Sequence, residues 1–141
     1  MSVETLGIRL ETNGETDLID ITAEVAKGVS DSGVSSGIVT IFVPGSTAGV
    51  TTITIEYESG AIRDFQEAID RIAPKDIGYH HDARWGDGNG YSHVRAALQG
   101  ASLTVPFVSS KLLLGTWQQI IVVDFDNRPR SREIILQIMG E

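Results

Sequence analysis

The chain contains no cysteine, and this absence removes three kinds of chemistry at once. Disulfides, zinc sites built on thiolates and catalytic thiol nucleophiles all require that residue. Any metal that this protein binds must therefore be held by histidine nitrogen and by oxygen.

Basic residues are scarce, since 11 lysines and arginines stand against 19 aspartates and glutamates and give a formal net charge of -8. Nucleic acids and anionic membrane surfaces repel such a chain unless it carries a local basic patch. We therefore expect no nucleic-acid partner and no membrane partner. Small molecules are the expected partners.

Long apolar runs are absent as well. The longest ones fall far short of the roughly 18 residues that a membrane-spanning helix needs. The first five residues, Met-Ser-Val-Glu-Thr, lack the basic and apolar character of a signal peptide. We expect a cytoplasmic protein, and its 141 residues fit one domain, residues 1–141.

Apolar periodicity divides the chain into strands and helices. Alternation or β-branched composition predicts strands over residues 5–11, 37–43, 50–57, 101–108, 111–114, 117–126 and 132–139. The segments 37–43 and 120–123 are apolar nearly throughout, which predicts burial on both faces, and Trp117 is expected in the core. Helical spacing predicts helices from Asp20 or Thr22 to near Gly33, from 62 to Pro74, and from Ser92 to Gly100.

All three histidines, His80, His81 and His93, lie within one stretch of fourteen residues. In extended chain His80 and His81 point to opposite faces, so at most one of them readily joins His93. His81 is the better candidate because Asp82 follows it as a further ligand or as a partner that orients the ring. His81 and His93 are therefore predicted as general acid and base, or as ligands of a divalent metal such as zinc, manganese or magnesium.

The same stretch contains Asp87-Gly88-Asn89-Gly90, which is typical of a loop with tight turns. Ser92 is a suitable cap for the helix that follows, with Val94, Ala97 and Leu98 as its apolar face. His93 is then in the first helical turn, where unpaired N–H groups favour a bound anion. The alternative is a loop that only packs.

Arg128, Arg130 and Arg132 have even spacing, so a strand that includes them projects all three from one face. Two readings remain open. In the first, the closing strand begins only at Arg132, and Arg128 and Arg130 lie in a solvated turn. In the second, the three arginines form a pocket rim or a subunit contact that binds phosphate or carboxylate.

Six motifs lie in the second half of the chain: Tyr79-x-His81-Asp82, Gly88-Asn89-Gly90-x-x-His93, Leu98-x-Gly100-x-Ser102, Val105-Pro106, Leu112-x-Leu114-Gly115-Thr116-Trp117-Gln118 and Asp126-x-x-Pro129-Arg130-x-Arg132. Together they resemble the YjbQ-like family of small proteins. The resemblance implies a single α+β domain with β-sandwich-like mixed or antiparallel sheets, two or three helices and assembly as a homotrimer. It also implies the weak, secondary thiamine-phosphate synthase activity described in that family.

The resemblance further implies a set of site residues, with His81, Asn89 and His93 at its centre. The contributors that it adds are Thr47, Glu56, Trp117, Gln118, Arg130 and Arg132. Among all of these, the residues expected to bind an anion or substrate are Thr47, Asn89, Gln118, Arg130 and Arg132. The family pattern commonly has Pro-His-Thr-Thr where this chain has Pro44-Gly45-Ser46-Thr47, so one imidazole is missing here.

Three functions follow as hypotheses. The first is an enzyme that acts on a phosphorylated small molecule, with His81 and His93 in acid and base roles. The second is a module that binds a phosphorylated or carboxylated metabolite without changing it. The third is a structural trimer, whose polar residues stabilise subunit contacts.

Overall fold

A computed structural model describes residues 1–55 and 59–141, with the side chain of residue 59 excluded. Eight strands and four helices follow one another along these residues. The bounds are β1 Ser2–Thr12, β2 Asp17–Asp20, α1 Thr22–Asp31, β3 Gly37–Phe42, β4 Ala48–Ile53, α2 Ser59–Ile72, α3 His80–Trp85, α4 Gly90–Gln99, β5 Ser102–Val108, β6 Lys111–Leu112, β7 Gln119–Asp124 and β8 Arg130–Gly140. Glu56 lies outside the described residues, and so does the end of the strand predicted over residues 50–57.

Five strands form the larger sheet in the order β1-β8-β3-β5-β6, with every neighbouring pair antiparallel. β1 and β8 pair along eleven residues, from Ser2 opposite Gly140 to Thr12 opposite Arg130. The inward side chains of β8 are the buried Ile134, Leu136 and Ile138. Alternation therefore places one face of this sheet on the core, as the period-two pattern predicts.

The smaller sheet has the order β2-β7-β4, again antiparallel. Its central strand β7 is buried on both faces, because Ile120 and Val122 belong to the core between the two sheets while Ile121 and Val123 belong to a second core. The second core is completed by residues of α2 and α4. The predicted two-sided burial of 120–123 is confirmed.

Antiparallel sheets with helices packed beside them make this an α+β fold, and the predicted fold class is confirmed. α1 adds Val25 and Val29 to the core between the sheets. The helix count exceeds the predicted two or three because α3 falls in a stretch expected to be extended. Over the described residues, no helix has both the length and the apolar character required to cross a bilayer.

Three burial predictions are wrong. β3 is covered on one face only, since Ile38 and Phe42 are 41% and 45% exposed. Trp117 is 56% exposed and not in the core. In α4 the predicted apolar face points outward, with Leu98 61% exposed.

The orientation of α4 has a polar cause. Its buried face carries Tyr91, Arg95 and Ala96, and the Arg95 guanidinium donates to the Ala73 carbonyl and to the Thr16 hydroxyl. A buried arginine with this many fixed partners determines the rotation of the helix, because turning it outward would leave those partners without their donors.

Candidate functional site

A cleft of about 410 Å³ opens where the end of β7, the loop before β4, the start of β8 and helices α3 and α4 meet. Its walls bring together most of the residues predicted for the site. They are Gly45, Ser46, Thr47, His81, Asp87, Asn89, His93, Arg130, Ser131 and Arg132.

Two ion pairs form the floor of the cleft. Asp124 is the last residue of β7, and Asp126 follows it two residues later. Both aspartates are fully buried. Arg132 Nε donates to Asp124 at 2.7 Å, and Arg130 Nε donates to Asp126 at 2.8 Å. β8 begins at Arg130, so Arg130 and Arg132 share the face that carries Ile134. Arg130 and Arg132 therefore line the cleft, whereas Arg128 is exposed in the turn before β8, so each of the two readings holds for part of the set.

Thr47 connects the two pairs. Its hydroxyl donates to Asp126 at 3.0 Å and accepts from Arg132 Nη2 at 2.7 Å. Thr12 donates to Asp124 from the opposite side at 2.6 Å. These bonds hold both guanidiniums in fixed positions, which lowers the entropic cost of any further contact that they make.

The Asp126 carboxyl is held in its ionised form. Burial alone would raise its pKa, but hydrogen bonds from the Asn127 backbone, Asn89, Thr47 and Arg130 outweigh burial and hold the pKa below its usual value. Asp126 is therefore a fixed negative charge that orients the groups around it.

Asn89 links that charge to a histidine. Its amide nitrogen donates to Asp126 Oδ1 at 3.3 Å, so its amide oxygen faces His81 Nε2 at 3.1 Å. His81 Nε2 is also 3.0 Å from Asp87 Oδ1. Both neighbours of Nε2 accept hydrogen bonds, so this nitrogen carries the proton of neutral His81.

His93 has the opposite arrangement. Its Nδ1 lies 3.2 Å from the Ser46 carbonyl, which can only accept, so Nδ1 carries the proton and Nε2 is the basic nitrogen of the neutral ring. The rings of His81 and His93 are 4.4 Å apart between centroids. The predicted association of these two histidines is therefore present in the structure.

An anion was predicted to bind unpaired N–H groups at the start of α4, but two of these groups are already paired within the chain. The helix begins at Gly90, and the Gly90 N–H donates to the Asp82 carboxylate at 2.8 Å. The Ser92 N–H donates to the Asn89 carbonyl at 3.0 Å. Because α4 starts two residues earlier than predicted, His93 lies beyond its first three residues. A carboxylate of the chain itself already occupies this helix end.

Potential metal ligands are His81, Asp82 and Asp87, which each offer one atom within 4.8 Å of the others. One imidazole nitrogen and two carboxylates suit magnesium, manganese or zinc. His93, predicted with His81 as a metal ligand, is not part of this group. The carboxylates therefore replace the second predicted imidazole.

Gln118, predicted to bind the anion or substrate, does not line this cleft. Its side chain donates to Thr52 at 3.1 Å and accepts from the Gly115 N–H at 3.0 Å, so it fixes its own loop beside β4. Within this chain Gln118 belongs to a separate pocket. The predicted role of Gln118 in binding an anion or substrate stays a prediction.

Gly45 has a positive φ of 120°, and a Cβ at this position would lie 2.7 Å from Arg132 Nη1. A side chain here would be strained in the backbone and would also displace the guanidinium. In this chain the Arg132 guanidinium therefore lies directly beside the Gly45 backbone.

Three residues of the site were not predicted as site residues, namely Asp87, Asp124 and Asp126. A usable signal did exist in the sequence. Two carboxylates with even spacing end an apolar strand, and two arginines with the same spacing begin the next one. The two segments are consecutive in the chain and joined by a short turn, so side chains of opposite charge and matched spacing can meet there although β7 and β8 belong to different sheets.

Comparison with known proteins agrees with the resemblance. The family model described as UPF0047 protein YjbQ-like matches residues 7–141. A UPF0047 protein of Methanothermobacter thermautotrophicus is 36% identical over 141 residues, covering 100% of this chain and 95% of that protein. The UPF0047 protein YugU of Bacillus subtilis is 32% identical over 133 residues, covering 94% and 97%.

Solved structures give the same result. A YbjQ-like protein of unknown function from Sulfolobus solfataricus has a TM-score of 0.91 at 33% identity and covers 99% of each chain. An uncharacterised YjbQ/UPF0047 protein from Clostridium acetobutylicum has a TM-score of 0.86 at 36% identity, covering 95% of this chain and 99% of that one. This chain belongs to the UPF0047, YjbQ-like, family.

Proposed function

We propose that the cleft binds the phosphate group of a small molecule and that the protein acts on that compound as an enzyme. The observation that carries the proposal is the state of Arg130. Its side chain is 35% exposed and uses Nε for Asp126, while its other two guanidinium nitrogens make no hydrogen bond within the described residues. A fixed guanidinium with two free donors matches a phosphate.

Charge balance indicates what must accompany the phosphate. Asp124 and Asp126 are balanced by Arg130 and Arg132, but Asp82 and Asp87 leave two negative charges when the histidines are neutral. A phosphate would be repelled by such a surface. We propose that His81, Asp82 and Asp87 hold a divalent metal, which supplies the positive charge that a phosphate needs.

His93 is the residue best suited to proton transfer. Its Nδ1 is fixed by Ser46, and Nε2 is the basic nitrogen of the neutral ring. We propose His93 as general base or acid. His81 shares that role only when it is not a ligand of the metal. Condensation of a hydroxymethylpyrimidine diphosphate with a thiazole phosphate, which the family resemblance implies, enters the proposal as a weak side activity only.

One observation favours the second candidate, a non-catalytic binding module for a phosphorylated or carboxylated metabolite. Asp124 and Asp126 accept hydrogen bonds from Thr12, Thr47 and both arginines, so neither is free to act as a base. Among the described residues of the cleft, proton transfer would then depend on the histidines. A protein that binds phosphate but turns over no phosphorylated compound would support this candidate.

Calorimetric titration with inorganic phosphate, with and without magnesium, manganese or zinc, tests the proposal. Arg130→Lys keeps the positive charge beside Asp126 and removes the two-pronged donor, so we expect about tenfold weaker phosphate binding. The matched control is Arg63→Lys on α2, where the side chain is 83% exposed. Equal affinity in wild type and Arg130→Lys would refute the assignment.

We also propose that the protein is a homotrimer, that it works in the cytoplasm and that neither nucleic acids nor membranes are partners. The net charge of -8 supports the last point. Exposed apolar side chains on the outer face of the larger sheet support assembly: Val3, Ile38, Phe42, Val108 and Met139. Light scattering should give a mass three times the 15.2 kDa of one chain.

A further inference from the structure

A second hollow continues from the cleft along α4. The two share Gly45, Ser46 and His93, and the second encloses about 360 Å³. Beyond the shared residues it is lined by Ala48, Ala96, Ala97, Gly100 and Ala101. We call this hollow the alanine groove.

The chemistry of the alanine groove differs from that of the cleft. Among the described residues no charged side chain lines it, apart from the titratable ring of His93, and its floor is made of the buried Ala48 and Ala96. The cleft contains two arginines and an aspartate. Small apolar side chains leave space for a group that needs no charge partner, and about 300 Å³ is the lower end of the range for small-molecule pockets.

α4 provides the spacing that makes the groove. His93, Ala96, Ala97 and Gly100 recur at intervals of three and four, so they lie on one side of the helix. His93 stands at the junction, with its ring fixed by the Ser46 carbonyl. A molecule that occupied both spaces would pass directly beside this ring.

We infer that the natural ligand is a phosphate ester whose organic part is an uncharged, slender or planar group, and that this part lies in the alanine groove. The inference rests on the proposed function, because the cleft is taken to hold the phosphate. The bond joining the phosphate to its organic part then lies next to His93. Compounds with charged or bulky organic parts are excluded by the lining and the size of the groove.

Three probes test the inference: inorganic phosphate, phenyl phosphate and glycerol phosphate, each titrated by calorimetry in the presence of magnesium, manganese or zinc. In wild type we expect phenyl phosphate to bind about tenfold more tightly than inorganic phosphate, because its ring is removed from water. Glycerol phosphate should gain little. Ala97→Leu fills the groove from an exposed helix position and should abolish the gain for phenyl phosphate while leaving inorganic phosphate unchanged.

The matched control is Ala26→Leu, the same substitution at an exposed position of α1 away from the groove. Equal affinities for phenyl and inorganic phosphate, or a gain that survives in Ala97→Leu, would overturn the inference. If phenyl phosphate binds to wild type but not to Ala97→Leu, and inorganic phosphate does not bind, the groove is supported as a ligand site. The proposed phosphate site in the cleft is then refuted. If neither compound binds, both proposals fail. If Ala97→Leu changes the molecular mass in solution and Ala26→Leu does not, the groove is a contact between copies of the chain. That result would also overturn the inference.

Discussion

The molecule buries arginine in two places, and the two clusters are built in opposite senses. In the cleft cluster, Asp124 and Asp126 are fully buried, while Arg130 remains 35% exposed in its side chain. In the second cluster the cation is inside, with the Arg95 side chain 4% exposed, and its carboxylate partner Asp70 is 68% exposed. We call the second one the Arg95 cluster.

Each of the three nitrogens of the Arg95 guanidinium donates a hydrogen bond within the chain. Nε donates to Ala73, Nη1 to Thr16 and Nη2 to Asp70, and the ring of Tyr91 lies 4.9 Å below it. These partners come from α2, from the residues after it and from the turn between β1 and β2. The Arg95 cluster is therefore a joint between elements.

The difference shows how to distinguish a site from a joint. A buried carboxylate with a partly exposed arginine presents donors to open space, whereas a buried arginine with exposed carboxylates presents its acceptors to water, where they need no further partner. Burial of an ion pair does not by itself indicate function. What indicates a binding site is whether donors without partners face open space.

The largest expected effect is on stability. Asp124→Ala leaves the nearly buried Arg132 without its carboxylate, and we expect unfolding free energy to fall by about 3 to 5 kcal/mol. Asp70→Ala removes the carboxylate from the Arg95 cluster, where water can replace it, and should cost no more than about 1 kcal/mol. Urea denaturation at pH 7 measures both. Equal losses would show that the two clusters do not differ in the way described.

A middle-sized effect separates stability from binding. Arg95→Met leaves the Ala73 carbonyl without its donor and should cost about 1 to 3 kcal/mol, with phosphate affinity unchanged. Arg130→Lys should have the reverse profile, with a stability change within about 1 kcal/mol and weakened phosphate binding. Denaturation and calorimetry on the same samples decide this. Weakened phosphate binding in Arg95→Met would show that the Arg95 cluster is not purely structural, and the distinction between the two clusters would fail.

The smallest expected effect is on pH dependence, and each cluster should govern one end of the profile. The pKa of Asp126 is lowered on folding, so its contribution is present above the unfolded value of about 3.9 and is lost as pH falls through the folded value. Stability should decline below about pH 4, and less steeply in Asp126→Asn than in wild type. Urea midpoints from pH 7 to pH 3 measure the slope. Parallel slopes would count against Asp126.

At the alkaline end the sign is reversed. Burial, then the hydrogen bond to Glu15, raises the pKa of the Tyr91 phenol above its usual value. That contribution is complete below the unfolded value of about 10 and is lost as pH rises through the folded value. Tyr91→Phe should flatten the decline above pH 10, and an unchanged alkaline slope would show that other groups cause it.

Most of the sheets could be predicted from the sequence because alternation has a direct physical reading. Residues 5–11 and 132–139 alternate, and they form the paired β1 and β8. α3 was not predictable in the same way, because its six residues have no apolar periodicity and no buried residue. Contacts outside the helix fix it, among them the left-handed Gly86 at its end and the bond from Gly90 to Asp82.

The site shows the same division. His81 and His93 were predicted together because they lie close in sequence, and the family resemblance added Asn89; all three line the cleft. The floor of the cleft needed knowledge of which segments meet, since Thr47, Asp126 and Arg132 come from separate parts of the fold. The misplaced α4 face had a similar cause, because one buried arginine outweighed the apolar pattern that the helix displays.

The order of strands in the larger sheet has a consequence for how the protein is made. β8 lies between β1 and β3, so over the described residues β1 is joined to the rest of this sheet through β8. During synthesis, β1 emerges early and waits for a partner that is more than a hundred residues away. Pairings of such long range form slowly and leave an alternating, half-apolar strand exposed in the meantime. We expect the larger sheet to be completed only after β8 has left the ribosome, so nascent chains halted before residue 130 should retain protease-sensitive β1 segments.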